Sequence, residues 1–204
     1  MSVKPTAYPP RRLRARAFSG AGLCLALGVL CLACWGCGGG KGQAAFAPPA
    51  GAHYISGVPF YPDQSHECGP ASLAAVMAFH GKKTSPREVA RAVYRPDLRG
   101  SLSLDMVLYA RSQGLDAHFY QGGPRDLAHW LAKDRPLVLL MDYGLGPVKK
   151  LHYLVAIGYD SRAVRVNSSL KPDQAQPWLD LLAAWRRTGF ATLRVGPAGS
   201  GGGS

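Results

Sequence analysis

The sequence predicts an α+β fold. Helix-period patterns cluster in the first half of the domain and strand-length apolar runs in the second, a segregation that argues against alternating βα units. Of the 204 residues, 47% are apolar, enough to fill a core of one domain's size. Composition shifts set the expected organisation: residues 1–37 as an export and anchor segment, 38–52 as a flexible tether, 53–197 as the folded domain and 198–204 as a flexible tail.

The elements follow in order. Residues 54–58 read as a short strand. Residues 69–80 read as a helix, with Leu73, Val76, Met77 and His80 at i, i+3, i+4 and i+7. Pro86 suits the first position of a second helix that runs to about 93. Ser103 is placed to cap a third, which stops before Gly114. A short strand at 117–120 and a helix at 126–133 come next. The apolar run 136–142 (PLVLLMD) has strand length. Residues 152–159 and 163–167 form a hairpin around Ser161-Arg162, followed by a helix at 178–187 and a last strand at 190–195.

The formal charge of +12 does not indicate nucleic-acid binding. Lys4, Arg11, Arg12, Arg14 and Arg16 precede every acidic residue and flank a long apolar run; without these five, 19 basic residues face 12 acidic ones, scattered and without a basic stripe. Residues 17–35 (AFSGAGLCLALGVLCLACW) carry no charge. Cations followed by an apolar run are the layout of a secretory signal, and the run is nearly long enough to be an uncleaved anchor. Either reading leaves the basic side in the cytoplasm and exports the domain, anchored to a bacterial membrane. The run ends in Cys34-Trp35-Gly36-Cys37-Gly38-Gly39-Gly40, where Ala33-Cys34 and Gly36-Cys37 both resemble a lipoprotein cleavage site. Neither has Leu three residues before the cysteine. If Cys37 is the lipidated residue, Cys68 is the single free thiol of the mature protein.

That thiol stands where a loop becomes a helix, in Asp63-Gln64-Ser65-His66-Glu67-Cys68-Gly69-Pro70-Ala71. Gly69 permits a close backbone turn and Pro70 suits the first helical turn. Free N–H groups at a helix start favour a thiolate, so a depressed pKa is expected for Cys68. Its general base is sought among six histidines. His53 lies at the tether, His66 beside Cys68, His80 on an apolar helix face, and His118 and His129 in ordinary strand and helix contexts. His152 opens an apolar strand after the loop 144–150, at a sheet rim that a cleft can reach. An orienting partner for His152 is expected at the end of the next strand. A tight turn pairing Tyr159 with Val164 puts Asn167 on the His152 face; a three-residue loop would select Ser168, and Asp142 is a further competitor. The Gln64 side chain, with the Cys68 N–H, is the candidate oxyanion donor. His66 and Cys68 offer two metal ligands, but no others stand at zinc spacing, so neither metal nor cofactor is expected.

The order Gln64, Cys68-Gly69-Pro70-Ala71, His152-Tyr153 and Asn167 resembles papain-like cysteine peptidases, above all the bacteriocin-processing, double-glycine leader peptidases and their stand-alone bacterial lipoprotein relatives. Residues 99–102 (RGSL), 136–138 (PLV), 152–160 (HYLVAIGYD) and 185–189 (WRRTG) fit the same group, so the resemblance spans 53–197. It implies a papain-like fold, with the nucleophile at a helix start in a helical half and the histidine in a C-terminal antiparallel sheet. It implies peptide-bond hydrolysis through a thioester on Cys68, a processing endopeptidase acting on a peptide or protein. An inactive peptide-binding module is the alternative. There are two departures. The leader peptidases carry an acidic residue, typically Asp-Pro, after the last catalytic strand, where this chain has Asn167-Ser168-Ser169. The interval from Gln64 to Cys68 is also shorter than in papain.

Overall fold

The computed structural model describes residues 46–63 and 66–199. The expected export segment with Cys34 and Cys37, most of the tether, and Gln64 and Ser65 lie outside the described residues, as does nearly all of the tail. The chain divides after Phe46, and every element below belongs to the second unit. No helix among the described residues is long and apolar enough to cross a membrane.

The helical half comprises α1 (Cys68–Phe79), α2 (Pro86–Val93) and α3 (Ser103–Ser112). Every residue of α1 from Gly69 to Met77 is buried, so this helix is wrapped on all sides rather than amphipathic. α2 opens on a complete capping box: Ser85 Oγ accepts the Glu88 N–H while the Glu88 carboxylate accepts the Ser85 N–H. Ser103 does not cap α3. It is the first helical residue, and its hydroxyl is taken by the Tyr153 phenol at 2.7 Å. Between α2 and α3, the short strands β2 (Tyr94–Arg95) and β3 (Gly100–Ser101) pair with each other.

The remaining strands form one antiparallel sheet. They are β1 (His53–Tyr54), β4 (Leu115–Gln121), β5 (Leu137–Asp142), β6 (Leu151–Tyr159), β7 (Ala163–Ser168), β8 (Lys171–Pro177) and β9 (Ala191–Pro197). Their order is β4-β9-β5-β6-β7-β8, with β1 pairing β6 at one end. The helices α1–α3 cover one face, burying Leu73, Met77, Val93 and Met106 with Val138, Val155 and Val195. The alternate positions Leu137, Leu139, Met141 and Leu154 are equally buried, and α4 (Pro124–Leu131) and α5 (Trp178–Arg186) contact these strands. A sheet covered on both faces has no solvent side, which is why 136–142 is apolar without alternation.

Besides the two-residue strands β2 and β3, which the sequence reading lacks, two strands of the main sheet depart from expectation. β1 is shorter than predicted, and β8 has no counterpart in the sequence reading. Its sequence, KPDQAQP, holds two prolines and one small apolar residue. It is a strand because it is the sheet's edge, where proline needs no ladder partner.

The hairpin of β6 and β7 has the expected start, with Tyr159 opposite Val164 and Gly158 opposite Arg165. The next pair is Ala156 with Val166, then Val155 with Asn167, so Ile157 is an extra residue in β6. This β-bulge falls where the other edge of β6 changes partner. Ala156 still pairs with β5, whereas the Ile157 carbonyl already accepts the Ile55 N–H at 2.8 Å and Gly158 faces Tyr54 in β1. Gly158 has to be glycine, since a Cβ there would stand 2.7 Å from the His53 carbonyl oxygen.

Candidate active site

Cys68 is the first residue of α1, so its side chain leaves the helix at the end where N–H groups are unpaired. Gly69 gives α1 its close fit here, because a Cβ would come within 3.0 Å of Ser101 Cβ and 3.3 Å of the Tyr153 ring. The Tyr153 N–H points at Cys68 Sγ at 3.5 Å. That contact places the next residue back, His152, beside the Cys68 thiol. Donor atoms of Cys68, His152 and Asp63 all lie within 4.8 Å of one another. The helical half and the sheet thus each supply one member of a thiol–imidazole pair.

The bulge decides which side chain meets the imidazole. An unbroken hairpin would put Asn167 on the His152 face. One extra residue shifts the alternation by one, and Ser168 takes that face instead. Ser168 Oγ lies 2.9 Å from His152 Nε2, and Ser169 Oγ lies 3.3 Å from the same nitrogen. Asn167 points to the other face, where its Oδ1 accepts the Asp173 N–H at 2.9 Å and ties down the turn into β8. Asp142 is not at the imidazole either. Its Oδ1 accepts the Gly144 and Lys150 N–H groups and closes the loop before His152; these bonds hold its carboxyl below the usual range.

Asp63 was not singled out from the sequence, although it opens the segment that carries Cys68. Its carboxylate accepts the Glu67 N–H at 3.0 Å, and its own N–H donates to the Ser169 carbonyl at 3.0 Å. It therefore joins the nucleophile loop to the turn that holds His152. The signal for this was slight: one carboxylate in a loop already marked by its cysteine. Among the described residues, Asp63, Cys68 and His152 are also the group that offers metal-ligand atoms together. His66 lines the same cleft but is not part of that group.

The electrostatics differ from the sequence expectation. Burial pushes the Cys68 thiol above its ordinary range; the Tyr153, Gly69 and Cys68 N–H groups pull it down, and the Asp63 carboxylate pushes it up further. Burial also pushes His152 below its ordinary range, with Asp63 opposing and Lys150 assisting. The helix start does favour the thiolate, but removing sulfur from water outweighs it. Each shift favours the neutral form of its own group.

The pair opens onto a cleft of about 790 Å³. Leu98, Leu102 and Leu151 give it an apolar lining, Tyr143, whose ring centroid lies 6.2 Å from that of His152, and Gln176 line it bonded to each other at 2.8 Å, and Arg99 and Lys150 bring positive charge. Leu98, Leu102 and Leu151 are each about half exposed among the described residues, at 57%, 49% and 54%, and form an apolar rim.

Comparison with known proteins bears on the family and the fold. A family model described as "Peptidase_C39 like family" matches residues 55–193. Three solved structures share the fold. A candidate C39-like peptidase from Bacillus anthracis is 17% identical with a TM-score of 0.59, the match covering 71% of this chain and 97% of that one. A double glycine motif protease from an AMS/PCAT transporter, solved in complex with its leader peptide, is 24% identical with a TM-score of 0.58 over 75% of this chain and 99% of that one. The peptidase domain of Streptococcus ComA, a bifunctional ABC transporter of a quorum-sensing pathway, is 17% identical with a TM-score of 0.57, covering 69% and 99%. No curated protein matches the chain. The papain-like α+β fold expected from the sequence is the fold these structures share.

Proposed function

The chain belongs to the peptidase C39-like family, and from that premise we propose that it is an exported, membrane-anchored cysteine endopeptidase that processes a peptide or protein through a thioester on Cys68. The observation that carries this reading is the convergence of Cys68 and His152, from opposite halves of the fold, within 4.8 Å at the floor of a peptide-sized cleft.

His152 acts as general base during attack. As Sγ bonds to the scissile carbonyl carbon, the thiol proton passes to His152, which then delivers it to the leaving amine. The Cys68 N–H at the start of α1 is placed for the developing oxyanion, and Gln64 is its proposed partner. Ser168 holds the ring by Nε2 in place of the expected Asn167, without supplying a charge to balance the imidazolium. Water then hydrolyses the thioester. The cleft's apolar lining and the relative solved with its leader peptide support a peptide substrate.

The test is cleavage of a peptide library by the purified protein, followed by Cys68→Ala and His152→Ala. Each variant should abolish turnover while leaving the fold intact. The serine at the orienting place favours a second reading, an inactive peptide-binding module. In that case peptides bind the wild type and both variants equally, and none is cut. Export and anchoring rest on the cations at 4–16 and the apolar run 17–35. Mass spectrometry of the membrane fraction should find a lipid on Cys37 or Cys34; a soluble cytoplasmic protein with an intact N-terminus would end that part of the proposal.

A further inference from the structure

We propose that Asp63, Cys68 and His152 form a binding site for a borderline divalent transition metal ion, of which Zn²⁺ is the type, and that occupancy holds the nucleophile in an inactive state. This switching role rests on the peptidase reading; the binding itself does not. The three donor atoms already lie within 4.8 Å of one another. A tetrahedral ion with bonds near 2.0–2.3 Å would hold them about 3.5 Å apart, so closure asks for movements of about 1 Å. One sulfur, one imidazole nitrogen and one carboxylate oxygen suit such an ion, whereas Mg²⁺ and Ca²⁺ require mostly oxygen.

Two of the donors are braced from behind, as metal ligands generally are. Ser168 Oγ holds His152 Nε2 at 2.9 Å, which leaves Nδ1 for an ion. The Glu67 N–H holds the Asp63 carboxylate at 3.0 Å. Three protein ligands leave a fourth position open to the cleft, as in zinc sites that exchange a ligand. Lys150 lines that cleft and opposes a cation; His66 lines it too. Binding forms a metal–Sγ bond as the thiol proton leaves to solvent, with no change in oxidation state. It removes the nucleophile and the base together, since both lone pairs that catalysis needs are then on the ion.

The experiment uses the full chain with Cys24, Cys31, Cys34 and Cys37 replaced by serine in every sample, so that Cys68 is the only thiol. Co²⁺ should give a thiolate-to-metal charge-transfer band that Cys68→Ala lacks. Micromolar Zn²⁺ should protect Cys68 from iodoacetamide, and Mg²⁺ or Ca²⁺ in thousandfold excess should not. Asp63→Asn should raise the Zn²⁺ concentration for half-protection at least about tenfold. If circular dichroism finds that variant unfolded, His152→Gln serves in its place with the same expected loss. No cobalt band from folded protein, or equal Zn²⁺ protection of wild type and the folded ligand variant, overturns the site. A band and protection in a protein that cuts no peptide would keep the site and refute the peptidase reading alone.

Discussion

Replacing Ser168 by aspartate asks whether the imidazole's partner limits turnover. The native hydroxyl meets His152 Nε2 at 2.9 Å and orients the ring, yet carries no charge, while burial already holds the imidazole below its ordinary range. A carboxylate at this place would stand about 4 Å from the imidazolium centre, worth about 4 kcal/mol at an effective dielectric of about 20. Ser168 and His152 both keep some solvent contact, and the new carboxylate loses hydration. About a third to a half of the attraction should survive, raising the imidazole pKa by about 1 to 1.5 units. Since the imidazolium forms as the thiol is deprotonated, the same interaction lowers the barrier, and turnover should rise about tenfold. The assay pairs a pH–rate profile for peptide cleavage with an NMR titration of the His152 ring. In Ser168→Asp both the ring titration and the acid limb should move to higher pH. An unchanged titration in a folded variant, or a raised titration with slower turnover, would refute the reasoning.

Other expectations are independent of that one. Alkylation of Cys68 by iodoacetamide should have its midpoint above that of a free thiol, because burial raises the folded pKa. By the same linkage the thiol's contribution to stability is present below the unfolded pKa and lost as pH rises through the folded one; a Cys68→Ala protein should lose that alkaline dependence in urea titrations. Asn167→Ala should cost about 1 kcal/mol by orphaning the Asp173 N–H, with no shift of the pH–rate profile. Gly158→Ala should cost about 2 kcal/mol in chemical denaturation, because its Cβ meets backbone of β1 rather than a movable side chain.

Local chemistry made much of the fold readable. The periodic and capped segments became α1 and α2 within a residue, since capping and apolar spacing are local signals. Cys68 and His152, which lie close together, stood out because each sits at an element boundary, Cys68 opening α1 and His152 near the start of β6. β8 was not legible, because an edge strand built of polar residues and proline leaves no apolar alternation. The ordinary expectation for a helix-start thiol misjudged Cys68, because desolvation depends on what packs around the sulfur and not on its neighbours in the chain.

Sequence alone determined the α+β class and the turn at Ser161-Arg162, which follow from local residues and element order, and it offered His152 among six histidines as the neighbour of Cys68, a choice the family resemblance strengthened. Tertiary structure alone decided the partner of His152. Side-chain direction in a strand has period two, so a single inserted residue reverses every assignment beyond it. The insertion at Ile157 falls where β6 exchanges β5 for β1, a partner more than a hundred residues earlier in the chain. No local pattern records that exchange, and it is what brings Ser168 to the imidazole and turns Asn167 away.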